Sequence, residues 1–403
     1  MQFNYDNLKS KSQKHKFSTY LKPYYLATST ESSEWAIVGG AYLTEKIELT
    51  NPLVLVFGNR YMLEDNNIFK EVKSLFKDGH FVFGSTSGDI TSESVDDESI
   101  TITAVEFEKS NFIIKTANVL NTDVNSYETG KKLIEQLPIE GLKYVFVLSE
   151  GSFINGSQLT KGMNAATEDN LVITGALCGD AARFEKTVSS YNENPKEGEL
   201  VAIGLYGKTL EVTFGTNGGW TPFGPERVVT KSENNILYEL DGKPALDLYK
   251  RYLGEKSNEL PSAALLYPLK VKSSDERKSI VRTILNIDEE ENSMILAGDI
   301  LKESKVQLMM TNVDSIVNAA EVGAIQALDL RDKKPELAIL VSCIGRKLVL
   351  DQRVEEEIEE VMEVVGEGTT ICGFYSYGEI APFDGEMNCQ LHNQTMAITL
   401  ISE

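Results

Sequence analysis

The sequence predicts a mixed α/β (α+β) fold of repeated βαβ units with mixed sheets, in a two-domain chain with internal pseudo-repeats. Three observations carry this. First, LVLVFG (53–58), YVFVLS (144–149) and LAILVS (337–342) are short continuous apolar runs rich in Val, Ile and Phe, the pattern of strands buried on both faces. Second, each run leads through a polar turn into a helix-like segment. Third, each helix returns to a second short strand that ends in a Gly-acid turn: HFVFGSTSGDI (80–90), LVITGALCGDA (171–181) and TICGFYSYGEI (370–380). The same distance separates Gly58 from Gly84 and Ser149 from Gly175, and strand–helix–strand units of this length are right-handed crossovers.

In chain order, the basic stretch Lys9 to Lys16 has no apolar run behind it and reads as a surface extension over 1–30 rather than a secretory signal. A helical stretch is expected over 31–46. The helix of the first unit, about Glu64–Lys77, sets Ile68, Val72, Leu75 and Phe76 on one face. Strands about 100–107 and 111–117, joined by Lys109-Ser110-Asn111, read as a hairpin. A helix about 124–136 precedes the second unit, whose own helix is about Ser157–Glu168. A second hairpin is expected from 199–206 and 209–215 across Gly207-Lys208. NGGWTPFGP (217–225) reads as a loop, followed by a strand about 228–240, the turn Asp241-Gly242 and a helix about 244–253 opened by Pro244. A hairpin flanks Asp288–Asn292. The helix about 313–328 presents the small face Ile316, Ala319, Ala320, Gly323 and Ala327. The third unit's helix, about Asp351–Val365, repeats Val354, Ile358, Val361 and Val365 at helical spacing, with its glutamates expected to face out. A last strand, about 394–402, closes the chain. The domains are expected at 31–225 with two repeats and at 226–403 with the third, the boundary near 225–262.

The composition narrows the function classes. With 403 residues, 41% hydrophobic and 25% charged, this is a folded globular chain. Its net charge of −22 repels phosphate backbones, which argues against nucleic-acid binding. No apolar run reaches membrane-spanning length, so no membrane insertion is expected. Cys178, Cys343, Cys372 and Cys389 form no C-x-x-C pair, and there are 3 histidines. Free thiols, no metal site and a cytoplasmic location are therefore expected.

Ligands of open α/β sheets bind beyond the carboxyl ends of strands. The candidate residues cluster there. Arg346, after the third unit's first strand, could hold a carboxylate bidentately, and Glu379 an ammonium group. Asp89 and Asp180 are the matching acids, or simply turn caps. Arg60 holds the place of Arg346 in the first unit. Tyr375 and Tyr377 alternate, so their rings are expected on one side. Ser85, Gly88 and Gly378 belong to the turns, and His392 and Asn393 precede the last strand. Cys343, His392 and Glu379 are also the residue types of a cysteine nucleophile, base and orienter, the basis of an alternative reading as a hydrolase or transferase. No nucleophile elbow or phosphate loop is present, and the leading expectation is a non-catalytic protein.

SCIGR (342–346), GFYSYGEIAP (373–382) and LHNQT (391–395) resemble motifs of the FIST C-terminal domain. ELDGKPALDLY (239–249) is similar to that family's linker, and FGSTSGDI (83–90) resembles a turn of the FIST N-terminal domain. The resemblance spans about 30–403. It implies a stand-alone, bacterial-type sensory protein that binds a small ligand such as an amino acid. It also implies a separate partner: a histidine kinase, a cyclic-dinucleotide enzyme or a chemotaxis receptor. No cofactor is expected. The family offers one alternative, a haem-binding nitric-oxide sensor, for which His392, His80 or a cysteine would be the axial ligand.

Overall fold

The computed structural model describes residues 21–29, 32–36, 49–121, 125–167, 171–273, 278–383 and 385–403. Of the helical stretch expected over 31–46, Ser32–Ala36 is a strand and the rest lies outside the described residues.

The described residues begin with β1 (Leu21–Ser29) and β2 (Ser32–Ala36). The first unit is β3 (Leu53–Gly58), α1 (Arg60–Leu63), α2 (Ile68–Leu75), β4 (His80–Ser85), β5 (Asp89–Thr91), β6 (Val95–Asp96) and β7 (Ser99–Phe107). The second is β8 (Asn111–Asn118), α3 (Ser126–Glu135), β9 (Leu142–Ser149), α4 (Gly156–Ala165), β10 (Val172–Leu177), β11 (Ser189–Tyr191) and β12 (Glu199–Tyr206), and β13 (Glu211–Asn217) follows. An insertion then runs through β14 (Thr221–Glu233), β15 (Ile236–Leu240), β16 (Lys243–Pro244), α5 (Ala245–Leu253), β17 (Leu269–Lys272), β18 (Ile280–Arg282), β19 (Ile284–Asp288), β20 (Ser293–Leu296) and β21 (Lys305–Met310). The third unit is α6 (Val313–Asp329), β22 (Leu337–Cys343), α7 (Ile344–Leu350), α8 (Glu356–Val365), β23 (Thr370–Ser376), β24 (Gly378–Pro382), β25 (Cys389–His392) and β26 (Met396–Ser402).

The expected repeat is present. Among the described residues, β3 pairs in parallel with β4, β9 with β10, and β22 with β23, each pair inside a six-stranded sheet. Alternate residues of the three first strands meet in one core: Leu53, Leu55 and Phe57 with Tyr144, Phe146 and Leu148 and with Leu337, Ile339 and Val341. The intervening residues face the helices, as Val54 and Val56 meet Ile68 and Val72 of α2. This double burial explains the continuous apolar runs.

The units exchange strands cyclically. β5 leaves the first unit to pair with β23 of the third, β11 leaves the second to pair with β4 of the first, and β24 leaves the third to pair with β10 of the second. The two expected hairpins are corrected by the same topology. β7 pairs with β3 and β1, whereas β8 pairs with β12; β12 in turn pairs with β9, whereas β13 pairs with β26. The short turns at 109–111 and 207–208 are corners between sheets. The supposed extension also supplies β1 to the first sheet.

The chain leaves this three-sheet body after Asn217. Residues 221–225, expected in a loop, begin β14, and the strand expected over 228–240 is the hairpin of β14 and β15 turning at Asn234, whose φ is 52°. The insertion has its own core, with Leu246 and Tyr249 of α5 packed on Leu240, Leu269 and Val306 of the sheet.

Candidate functional site

The three strand exchanges converge where the first strands end. Matching backbone hydrogen bonds, Asn59 N to Ser99 O (2.9 Å), Glu150 N to Glu199 O (2.9 Å) and Cys343 N to Thr395 O (3.0 Å), make Asn59, Glu150 and Cys343 equivalent positions. The crossing turns then bond to one another: Ser87 N to Tyr375 O (2.8 Å), Tyr375 N to Gly88 O (2.8 Å), Gly179 N to Ser85 O (2.9 Å) and Tyr377 N to Leu177 O (3.2 Å). Ser85, Gly88 and Asp89 are thereby brought beside Tyr375 and Tyr377, far away in sequence. Gly88 has φ +132°, and a Cβ there would meet Lys347 Nζ, so the turn requires glycine.

Two of the three acids each sit in a hydroxyl-lined cage of their own. Asp89 accepts hydrogen bonds from Thr86 Oγ1 (2.7 Å) and Ser99 Oγ (2.6 Å). Glu379 accepts from Ser376 Oγ (2.8 Å), Thr395 Oγ1 (2.9 Å) and Thr395 N (3.2 Å). Both are fully buried, and burial, outweighing these hydrogen bonds, pushes each carboxyl up to about 7. The second unit differs. Burial opposes the charge of Asp180, but hydrogen bonds from Arg60 Nε (2.9 Å) and Arg183 outweigh it and hold the carboxyl below its ordinary value. Arg60 also pairs with Glu64 and Glu185, so its expected ligand role is taken by an ion-pair cluster.

Arg346 is likewise committed. Its Nε (3.1 Å) and Nη2 (2.6 Å) donate to Glu357 Oε2, Nη2 also to Ile316 O (3.0 Å), and Nη1 to the carbonyls of Gly218 (2.7 Å) and Asn217 (3.5 Å). All five N–H groups have partners, which leaves none for a ligand carboxylate. Glu357, expected to face out with its neighbours, is fully buried, and its other oxygen accepts from Tyr375 Oη (2.5 Å) and Ser342 Oγ (3.1 Å). The two tyrosines do not share a wall, because β23 ends at Ser376 and Tyr377 lies on the crossing to another sheet. Tyr375 points to Glu357, whereas Tyr377 stacks on Phe184 (centroids 4.4 Å apart) and donates to Ala181 O (3.2 Å).

Near the start of β26 the three-sheet body meets the insertion. Arg282 Nη1 donates to Leu391 O (2.9 Å), and Asp299 accepts from Asn155 Nδ2 (2.7 Å) and Gln158. Gln394, a residue sequence reasoning missed although it lies within LHNQT, donates from Nε2 to Leu265 O (2.8 Å) and Thr283 Oγ1 (3.1 Å) of the insertion. Its φ is +63°, and its amide lies over Gly345, where a Cβ would come within 2.3 Å of Oε1. Gln394 Oε1 and the neighbouring Asn393 Oδ1 are buried acceptors without a hydrogen-bond partner. Gly378 is pressed against Leu391.

Cys343, Glu379 and His392 lie in this region but do not form a catalytic chain. His392 Nε2 is 3.0 Å from Ala381 O, and burial pushes the imidazole down to about 4. Burial, reinforced by the charge of Glu379, pushes the Cys343 thiol up, the reverse of an activated nucleophile. All four cysteines are free and buried. Titration of unreduced protein is expected to give four thiols after denaturation and almost no fast reaction in native buffer. Fewer than four would reveal a disulfide. The residues considered for a haem do not fit one: the imidazole of His80 is held by Tyr191 Oη (2.7 Å) and Asn51 Oδ1 (2.8 Å), His392 is engaged, and the thiols are enclosed. Among the described residues no cluster of His, Cys, Asp and Glu is arranged to hold a metal, and no helix is long and apolar enough to cross a membrane.

Comparison with known proteins gives two family matches in tandem. A FIST N domain profile matches residues 52–243, and a FIST C domain profile matches residues 245–382. An uncharacterized protein of Methanocaldococcus jannaschii, MJ1623, is 26% identical over 242 residues, covering 55% of this chain and 44% of that protein. The chain thus spans less than half the length of this relative.

Proposed function

Since the chain belongs to the FIST family, whose domains are sensory domains of signal transduction, we propose that it binds a small ligand bearing an amino group, such as an amino acid, and signals through a separate partner. That partner would be a histidine kinase, a cyclic-dinucleotide enzyme or a chemotaxis receptor. The ligand site on this reading lies where the start of β26 meets the insertion.

One observation carries this reading: Asn393 Oδ1 and Gln394 Oε1 are two buried oxygens left without donors. An unsatisfied buried acceptor costs roughly 1–3 kcal/mol, so a donor that reaches it is favoured. An ammonium group brings three donors, and Glu379 beside β26 can ionise to neutralise it. Arg346 has no free donor, so the amine rather than the carboxylate is the recognised group. Contact between two bodies of the chain also suits a sensor, because a ligand there changes how they pack.

In a thermal-shift screen, amino acids and simple amines are expected to raise the melting temperature, and carboxylates lacking an amine are not. Asn393→Ala removes an acceptor that is unpaired in the free protein. Its own stability should stay within about 1 kcal/mol of the parent, while the ligand-induced shift disappears. A shift that survives in Asn393→Ala would place recognition elsewhere.

A further inference from the structure

The three sheets of the body end alike, and one of the ends is bare. β1, β8 and β13 hold equivalent places, each pairing with the last strand of a unit: β7, β12 and β26 respectively. In the first sheet this place is covered, because β2 adds to the outer edge of β1 as an antiparallel strand. In the third it is guarded. α6 lies so close to β13 that a Cβ at Gly215 would meet Gly323 O, and Glu211 holds residues 332 and 333 against the strand by accepting from Asp332 N (2.8 Å) and Lys333 N (2.9 Å). β8 has neither a covering strand nor an acid, and it pairs with β12 over its whole length without a bulge. The opposite edges of the three sheets, β6, β11 and β25, are no longer than four residues. A long, regular, uncharged edge is what sheets otherwise avoid, because it is a template for another strand.

The pairing tells which backbone groups this edge offers. Glu150 N bonds to Glu199 O, so Glu199 faces β9 and, by alternation, Leu200, Ala202, Gly204 and Tyr206 face β8. Their partners Ala117, Lys115, Ile113 and Asn111 therefore face inward, and Phe112, Ile114 and Thr116 turn their N–H and C=O groups outward. The hydrogen bond from Gln136 Nε2 to Thr116 O (3.2 Å) agrees. The outward groups of Phe112 and Ile114 have no hydrogen-bond partner among the described residues. Side chains alternate in the same rhythm: Phe112 and Ile114 lie on the central core, and Ile113 lies on the core under α3.

We infer that β8 is a dimerisation edge, to which a second copy of this chain adds its own β8, antiparallel, across a two-fold axis. Three observations select this occupant. β2 on β1 shows that the fold admits an antiparallel strand at this place. The strip 111–118 carries one lysine and no acid on a chain of net charge −22, so two copies meet where their mutual repulsion is least. The strip is also self-complementary in one register, as a two-fold contact requires. An axis through Lys115 would oppose two lysines, and one through Ile114 would need Thr116 O, which Gln136 holds. An axis through Ile113 sets Ile113 against its copy, lets Phe112 and Ile114 exchange both backbone hydrogen bonds on either side of the axis, and places Asn111 opposite Lys115. The two six-stranded sheets then join into one continuous sheet.

Sedimentation velocity of the full chain from about 1 to 100 μM tests this. A monomer–dimer equilibrium is expected, with the amides of Phe112 and Ile114 exchanging more slowly as the dimer forms. Asn111 is exposed, so its substitution should leave the melting temperature of the dilute protein unchanged. Asn111→Lys sets like charges opposite each other twice per dimer and should weaken association by roughly tenfold, whereas Asn111→Glu should strengthen it. Adding Lys115→Glu to Asn111→Lys restores opposite charges and should recover the parent's affinity. A chain that stays monomeric up to about 100 μM, a dimer indifferent to both substitutions of Asn111, or an Asn111→Lys defect that Lys115→Glu does not rescue would each overturn the assignment.

Discussion

Replacing Arg346 with alanine should destabilise the free protein by about 3–5 kcal/mol, the usual cost of removing one partner of a buried ion pair. Both Arg346 and Glu357 have fully buried side chains. Loss of the guanidinium leaves the Glu357 carboxylate in the core with only Tyr375 and Ser342 as donors. It also removes the hydrogen bonds to the carbonyls of Gly218 and Ile316, which tie the chain after β13 and the start of α6 to α7. Urea denaturation of Arg346→Ala should therefore show a large fall in midpoint. Glu357→Gln should cost less, because the amide keeps a hydrogen-bond partner for Tyr375 while removing the charge. In a double-mutant cycle the two sites should couple strongly, since the second change removes a charge already left unpaired. A loss below about 1 kcal/mol, the range of exposed pairs, would show that Arg346 is not structural and would return it to the pool of ligand contacts.

The contrast between what was legible and what was not follows from the physics of each signal. The first strands could be read because burial on both faces leaves a continuous apolar run, and α6 because small residues recur on one face. Partners were harder. Periodicity identifies a strand but not what it pairs with, so β7 and β8 looked like a hairpin although each bonds to strands distant in sequence. Glu357 was hidden because it stands among six other glutamates between 355 and 367, where helical spacing alone marks only apolar residues as buried. Its burial depends on Arg346 arriving from the preceding helix. Gln394 carries no pattern of its own, and its role appears only when the insertion folds against β26. The Gly-acid turns were readable as equivalents, but their chemistry was not: Asp89 and Glu379 meet hydroxyls of their own units, whereas Asp180 meets Arg183 beside it and Arg60 from the first unit.

These hydroxyl-caged acids should make stability fall as pH rises. In the fold, Asp89 and Glu379 hold their protons up to about 7, against ordinary values near 4 in the unfolded chain. Between those values the folded state binds more protons than the unfolded state, so the stability that each carboxyl contributes is complete below about pH 4 and is lost as pH rises through 7. The full difference is worth on the order of 4 kcal/mol per carboxyl. His392 works in the opposite direction. Burial lowers its imidazole to about 4, so it adds stability between about pH 4 and 6.5 and masks one of the two acids in a simple pH scan. Paired comparison removes this overlap. Asp89→Asn and Glu379→Gln keep polar atoms of similar size in each cage but cannot ionise, and His392 cancels between variant and parent. Each variant should be close to the parent in stability near pH 5 and gain on it by on the order of 3 kcal/mol by pH 8, with the two gains nearly additive because the acids sit in separate cages. Salt should change this little, since both groups are buried and poorly screened. A stability difference that stays flat from pH 5 to 8 would mean that the carboxyls are ionised throughout, held so by Lys347 and Arg346, the positive groups nearest to Asp89 and Glu379 respectively.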